Sequence, residues 1–120
     1  MSVSFPDHFG LSVERSGESV VVHLEGELDV ACEEGFATAL RPLIERGASI
    51  VIDLRALTFI DSTGIRMLIA THDRARRVGA EVAVVPGDAH VRRTIELTGL
   101  DQIVPMVEGE IATAPAANAA

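Results

Sequence analysis

Tryptophan, tyrosine and lysine are absent from this chain, and cysteine occurs once, as Cys32. Each absence excludes something. With four Phe as the only aromatic residues and an apolar content of 48%, the core must be aliphatic, built from Val, Ile, Leu and Ala. A single cysteine allows no disulfide within the chain and no cysteine-based metal site, which fits a reducing compartment. Without lysine there is no Schiff base and no P-loop lysine. The opening residues MSVSFPDHFG have no basic region followed by an apolar run, so no signal peptide is expected. No apolar run approaches the roughly 20 residues of a membrane span, and a cytoplasmic protein is expected.

Positive charge is also scarce. The formal net charge is -8 over 120 residues, which would repel phosphate backbones, so no nucleic acid partner is expected. The length suits one domain. A chain of this size buries about two thirds of its unfolded surface without staples.

Alternating apolar residues predict a first strand over Phe9 to Glu14, at an edge, and a second over Ser19 to Leu24, paired as a hairpin. His23 points away from its apolar neighbours and reads as a surface imidazole. Asp29 is a suitable cap for a helix whose buried face is Cys32, Phe36, Leu40, Leu43 and Ile44, with Glu33 and Glu34 in its first turn. Pro42 predicts a kink or an early end. Ile50 to Leu54 reads as a central strand covered on both faces. A short link then leads to a helix opened by Asp61-Ser62-Thr63-Gly64, with Ile65, Leu68, Ile69, His72 and Ala75 on one face. Glu81 to Val85 is the next strand. Asp88 caps a helix carrying Val91, Ile95 and Leu97, and Gly99 ends it. Ile103 to Val107 reads as a short edge strand because of Pro105. From Gly109 the small residues predict a flexible tail. The expected organisation is a domain over 1–108 and an Ala-rich tail over 109–120. The fold class is α/β: a small mixed sheet of about four to five strands with helices packed against it.

Enzymatic patterns are poorly matched. Around Ser62 the sequence is I-D-S-T-G, lacking the first glycine of a serine-hydrolase elbow. His72 lies ten residues further along the same helix, roughly 15 Å up its axis, out of reach as a base. His8, His23, His72 and His90 show no paired metal spacing, and no metal site is expected. Asp29, Asp53 and Asp61 could converge, but three acids alone identify no reaction. Asp61-Ser62-Thr63-Gly64 has two readings. Asp, Ser and Thr cap helices, and Gly allows close backbone approach. Equally, a phosphate on Ser62 would add about -1.5 to -2 charge at pH 7 and spoil a close-fitting interface, while helix-start amides could hold it. Exposed Arg66 and Met67 would extend such a surface.

Gly26-Glu27-Leu28-Asp29, Val51-Ile52-Asp53-Leu54, Phe59-Ile60-Asp61-Ser62-Thr63-Gly64 and Pro86-Gly87, in this order and spacing, resemble an anti-sigma factor antagonist, a freestanding STAS domain. The resemblance runs from about Phe9 to Val107, and the third motif is its most specific part. It implies a STAS-like single domain and a non-enzymatic role. Unmodified, such a protein binds an anti-sigma factor serine/threonine kinase and frees a sigma factor. The kinase phosphorylates the serine after the motif aspartate, here Ser62, and the complex separates. A metal-dependent serine phosphatase resets it. The implied partner-binding set is Asp29, Asp61, Ser62, Thr63, Gly64, Arg66 and Met67. ATP belongs to the partner, so no cofactor is implied. Many relatives carry a second glycine where this chain has Arg66. The alternative within the fold is a STAS scaffold of a stress-signalling assembly or an accessory subunit of a membrane transporter.

Overall fold

A computed structural model of the chain describes residues 4–108. Four strands, β1 (Phe9–Ser16), β2 (Ser19–Leu28), β3 (Ser49–Ile60) and β4 (Val82–Val85), form one sheet in that order. β1 runs antiparallel to β2, while β2, β3 and β4 are parallel. Three helices, α1 (Glu33–Glu45), α2 (Ser62–Arg77) and α3 (Ala89–Thr98), alternate with the later strands. This is the expected small mixed α/β sheet with its helices.

Alternation assigns the two faces. Val20, Val22, Leu24, Ile50, Ile52, Val82 and Val84 share one buried cluster with Phe36, Leu40, Leu68, Val91 and Ile95. All three helices therefore cover the same face. On the opposite face Val21 and Val85 form a small cluster with Val51 and Val107. A polar group lies beside it. His23 donates from Nδ1 to Asp53 Oδ2 and from Nε2 to Glu14 Oε1, each at 2.8 Å. Arg55 donates from Nε to Asp53 Oδ1 at 2.9 Å. Both ring nitrogens face carboxylates, which only accept when ionised, so the doubly protonated imidazolium is the form that satisfies both contacts. His23 is thus a half-buried tie between β1, β2 and β3 rather than a free surface imidazole.

Further sequence expectations change, and β2 runs on to Leu28 rather than ending at Leu24. β3 does not stop at Leu54; it continues to Ile60 with no link. Exposed Arg55, Ala56, Thr58 and Phe59 break the apolar run, yet the ladder to β2 persists. Register shifts near Glu25 and Glu27 let β3 carry 12 residues against 10 in β2. α1 runs past Pro42 to Glu45, so Pro42 does not end it; it sits in the last turn, where the helix closes with Arg46 N donating to Pro42 O. Leu97 is 75% exposed and leaves Val91 and Ile95 to pack α3. Ile103 to Val107 is not a strand: a 3-10 turn over Leu100–Gln102 uses the local amides, and one parallel bridge, Val84 to Met106, remains. His72 is buried, as a packed histidine would be. The expected tail lies outside the described residues.

Burial works against the His23 imidazolium, but the hydrogen bonds and charges of Glu14 and Asp53 outweigh it and raise the pKa above 6.5. A raised folded-state value stabilises the fold fully below the unfolded pKa and loses that contribution as pH climbs through the folded value. His23→Gln should therefore destabilise the protein more at about pH 6 than at about pH 9 in urea unfolding. A difference that does not change with pH would contradict this.

Candidate functional site

The parallel pairing of β2 with β3 makes Leu28 and Ile60 register partners. The next residues, Asp29 and Asp61, leave neighbouring strands at the same level, at the carboxyl ends where α/β proteins meet ligands and partners. Asp53 does not join them; it is held by His23 and Arg55 further back along β3.

Asp61 is the N-cap of α2. Its backbone is extended (φ -109°, ψ -173°), and its Oδ1 accepts from Gly64 N at 2.9 Å. Ser62 is thereby the first helical residue and is exposed, while Thr63 is half-buried. Gly64 is needed for space. A Cβ there would lie 2.7 Å from Ile60 Cγ1 and 2.8 Å from the Leu28 carbonyl oxygen. The absent side chain lets the start of α2 press against the ends of both strands, so the Ser62 hydroxyl stands on a fixed platform. Arg66 is exposed, and its Nη2 donates to Thr63 Oγ1 at 3.4 Å. Met67 is not exposed as expected; it is 6% accessible. It lies two positions beyond Ile65, on the flank of α2 that packs against α1. A groove of about 410 Å³ opens there, lined by Phe36, Arg66, Met67, Ile69 and Arg74 among others.

Asp29 caps the 3-10 turn over Val30–Cys32 that leads into α1, accepting from Ala31 N at 3.1 Å. Its other oxygen, Oδ2, meets His8 Nε2 at 3.0 Å. Burial works against the Asp29 carboxylate, but His8, Cys32 and the Ala31 amide hold its pKa below the usual carboxylate range. Two apolar residues escaped the sequence reading of this surface. Val30 is 66% exposed directly after Asp29. Phe59 is 38% exposed and stacks on His90 with ring centroids 6.3 Å apart. The available signal was an apolar residue immediately after a cap, and one inside a polar motif.

Helix geometry separates Ser62 from His72, which is buried and whose Nδ1 has no hydrogen-bond partner among the described residues. The site offers a presented hydroxyl, carboxylates and helix-start amides, an arrangement suited to being recognised and modified.

An exposed serine at a helix start, beside two strand-end carboxylates on a mixed four-stranded sheet, is the arrangement the chain presents. The chain belongs to the STAS domain family, whose model matches residues 11–114. It is 26% identical over 97 residues to the anti-sigma-B factor antagonist of Bacillus subtilis, covering 81% of this chain and 89% of that one. With the anti-sigma-F factor antagonist RsfB of Mycobacterium tuberculosis it shares 29% over 101 residues, 83% and 82% of the two chains. The crystal structure of an anti-sigma factor antagonist from Mycobacterium paratuberculosis superposes with a TM-score of 0.76 at 30% identity, covering 93% and 97%. SpoIIAA in its unphosphorylated form has the same fold, with a TM-score of 0.72 at 23% identity over 91% and 97% of the chains. No helix among the described residues is long and apolar enough to cross a membrane.

Replacing glycine by alanine within a helix ordinarily stabilises by about 0.5–1 kcal/mol. Gly64→Ala should instead destabilise by about 1–3 kcal/mol in urea unfolding, because the added methyl meets backbone and packed side chain. A stabilised variant would show that α2 does not need its close approach.

Proposed function

We propose that this protein is a cytoplasmic anti-sigma factor antagonist that works by exchanging partners. Unmodified, it binds an anti-sigma factor serine/threonine kinase, and the sigma factor is released. The kinase transfers a phosphoryl group from ATP to Ser62, the complex separates, and a metal-dependent serine phosphatase restores the free hydroxyl. The protein is a binding partner and a substrate, not an enzyme.

The observation that carries this reading is the exposed Ser62 at the first position of α2, on a backbone fixed by Asp61 and Gly64. It is supported by relatives named as anti-sigma factor antagonists. A similar fold, SpoIIAA, is known in both an unphosphorylated and a phosphorylated form. The physical basis is charge. Asp29 and Asp61 place carboxylates at this end of the sheet, so a partner that fits it accommodates those groups and a small hydroxyl. A phosphate adds about -1.5 to -2 charge and bulk at the same spot. Around Ser62, exposed Arg66, Val30 and Phe59 and the α1–α2 groove floored by Met67 supply contact area. Thr63 lies beside Ser62 with its hydroxyl accepting from Arg66, so the more exposed Ser62 is the acceptor we assign.

The kinase partner can be recovered from the native cell with wild-type protein, and its affinity for variants measured. Ser62→Asp should weaken binding at least about tenfold, equal to 1.4 kcal/mol, through like-charge repulsion. Ser62→Ala should keep binding. Equal affinity of Ser62→Asp and wild type would overturn the switching reading.

A further inference from the structure

His8 lies in the turn before β1, about twenty residues from Asp29 and Cys32, which are the cap and the last residue of the 3-10 turn that leads into α1. Their side chains meet. His8 Nε2 is 3.0 Å from Asp29 Oδ2, and Cys32 Sγ is 3.6 Å from Asp29 Oδ1. One donor atom from each residue lies within 4.8 Å of the other two. We propose that these three side chains form a binding site for one zinc-class divalent cation, Zn2+, at the base of the Ser62 platform.

The donor set selects the ion. Thiol sulfur, imidazole nitrogen and a carboxylate oxygen together suit Zn2+, whereas Mg2+ and Ca2+ favour oxygen ligands alone. Zn–N and Zn–O bonds near ~2.0–2.1 Å and a Zn–S bond near ~2.3 Å set tetrahedral ligand atoms ~3.3–3.8 Å apart. The His8 contact is shorter than that range and the Cys32 contact falls within it, each to a different Asp29 oxygen, and no ligand pair is more than 4.8 Å apart, so side-chain rotation must bring one oxygen, the imidazole and the thiol around the ion. Three protein ligands leave a fourth position for water.

The backbone around the cluster is held in place. Gly26 has φ +87°, and a Cβ on it would lie 2.0 Å from the His8 carbonyl oxygen. That same oxygen accepts from Glu27 N at 2.9 Å. The segment carrying His8 is thus fastened against the last residues of β2, and Cys32 is fastened to Asp29 through Cys32 N and Asp29 O at 3.0 Å. An ordinary ion pair explains His8 with Asp29 but not the surroundings of the thiol. Cys32 Sγ faces the Glu27 carbonyl at 3.5 Å and the Asp29 carboxylate, two acceptors for its one proton. A cation held by His8, Asp29 and Cys32 would replace the thiol proton on the side facing the Asp29 carboxylate. The thiol proton passes to the buffer as the sulfur–metal bond forms.

Spacing in the sequence could not reveal the cluster, and a lone cysteine argued against any metal site. The proposal does not rest on phosphorylation of Ser62, and its test does not use it. Chelator-treated protein is titrated with Zn2+ by calorimetry and with Co2+ by absorbance. The expected result is one ion per chain at about micromolar affinity or tighter, with a thiolate-to-Co2+ charge-transfer band and the visible bands of tetrahedral Co2+. His8→Gln, in a side chain 37% exposed and so tolerant of change, should lose more than about 100-fold in affinity while keeping its circular dichroism. Cys32→Ala should abolish the charge-transfer band, and His90→Gln should leave affinity and spectrum unchanged. Absence of uptake by wild type, or unchanged affinity in His8→Gln, would overturn the site.

Discussion

The close approach of α2 to the ends of β2 and β3 is the constraint on which the functional surface depends. It requires three things at once. Leu28 and Ile60 must be paired in parallel, Gly64 must lack a side chain, and Asp61 must cap the helix from an extended backbone. Remove any of them and Ser62 loses its fixed position. Asp61 and Gly64 are therefore explained by capping and packing. Presentation of Ser62 is a consequence of that geometry, and the proposed use of Ser62 builds on it.

The sheet behind this platform is tied together by different means on its two faces. One face is sealed by three helices over an aliphatic core. The other has only a small apolar cluster, and the His23, Glu14, Asp53 and Arg55 network joins three strands beside it. Burial penalises charges in such a network, and the pairing offsets the penalty. Asp53 is held below the usual carboxylate range: burial opposes its charge, and Arg55 and His23 outweigh that. The second motif aspartate is thus a structural residue of the sheet, separate from the aspartates at the strand ends.

Much of this was legible in the sequence. Alternation and helical spacing located β1, β2, the three helices and β4, because each has one apolar side and a recognisable cap or stop. Asp61 and Asp88 were readable as caps for the same reason. What failed were judgements that need a neighbour. The second half of β3 reads as a link because its exposed residues hide a ladder that β2 completes. Met67 reads as exposed because its burial comes from neighbours that only the folded core supplies. His23 reads as a surface group because Glu14 and Asp53 come from other strands. His8 joins Asp29 and Cys32 only because its backbone passes close against Gly26 of β2. In each case the missing information is tertiary, and no local pattern carries it.

The most direct test of the central claim is the mass of the protein, mapped to residues, after its recovered kinase partner and ATP have been mixed with it. The account predicts one added phosphate, located on Ser62, accompanied by separation of the complex. An unmodified Ser62 in a complex that persists through the ATP treatment would contradict it.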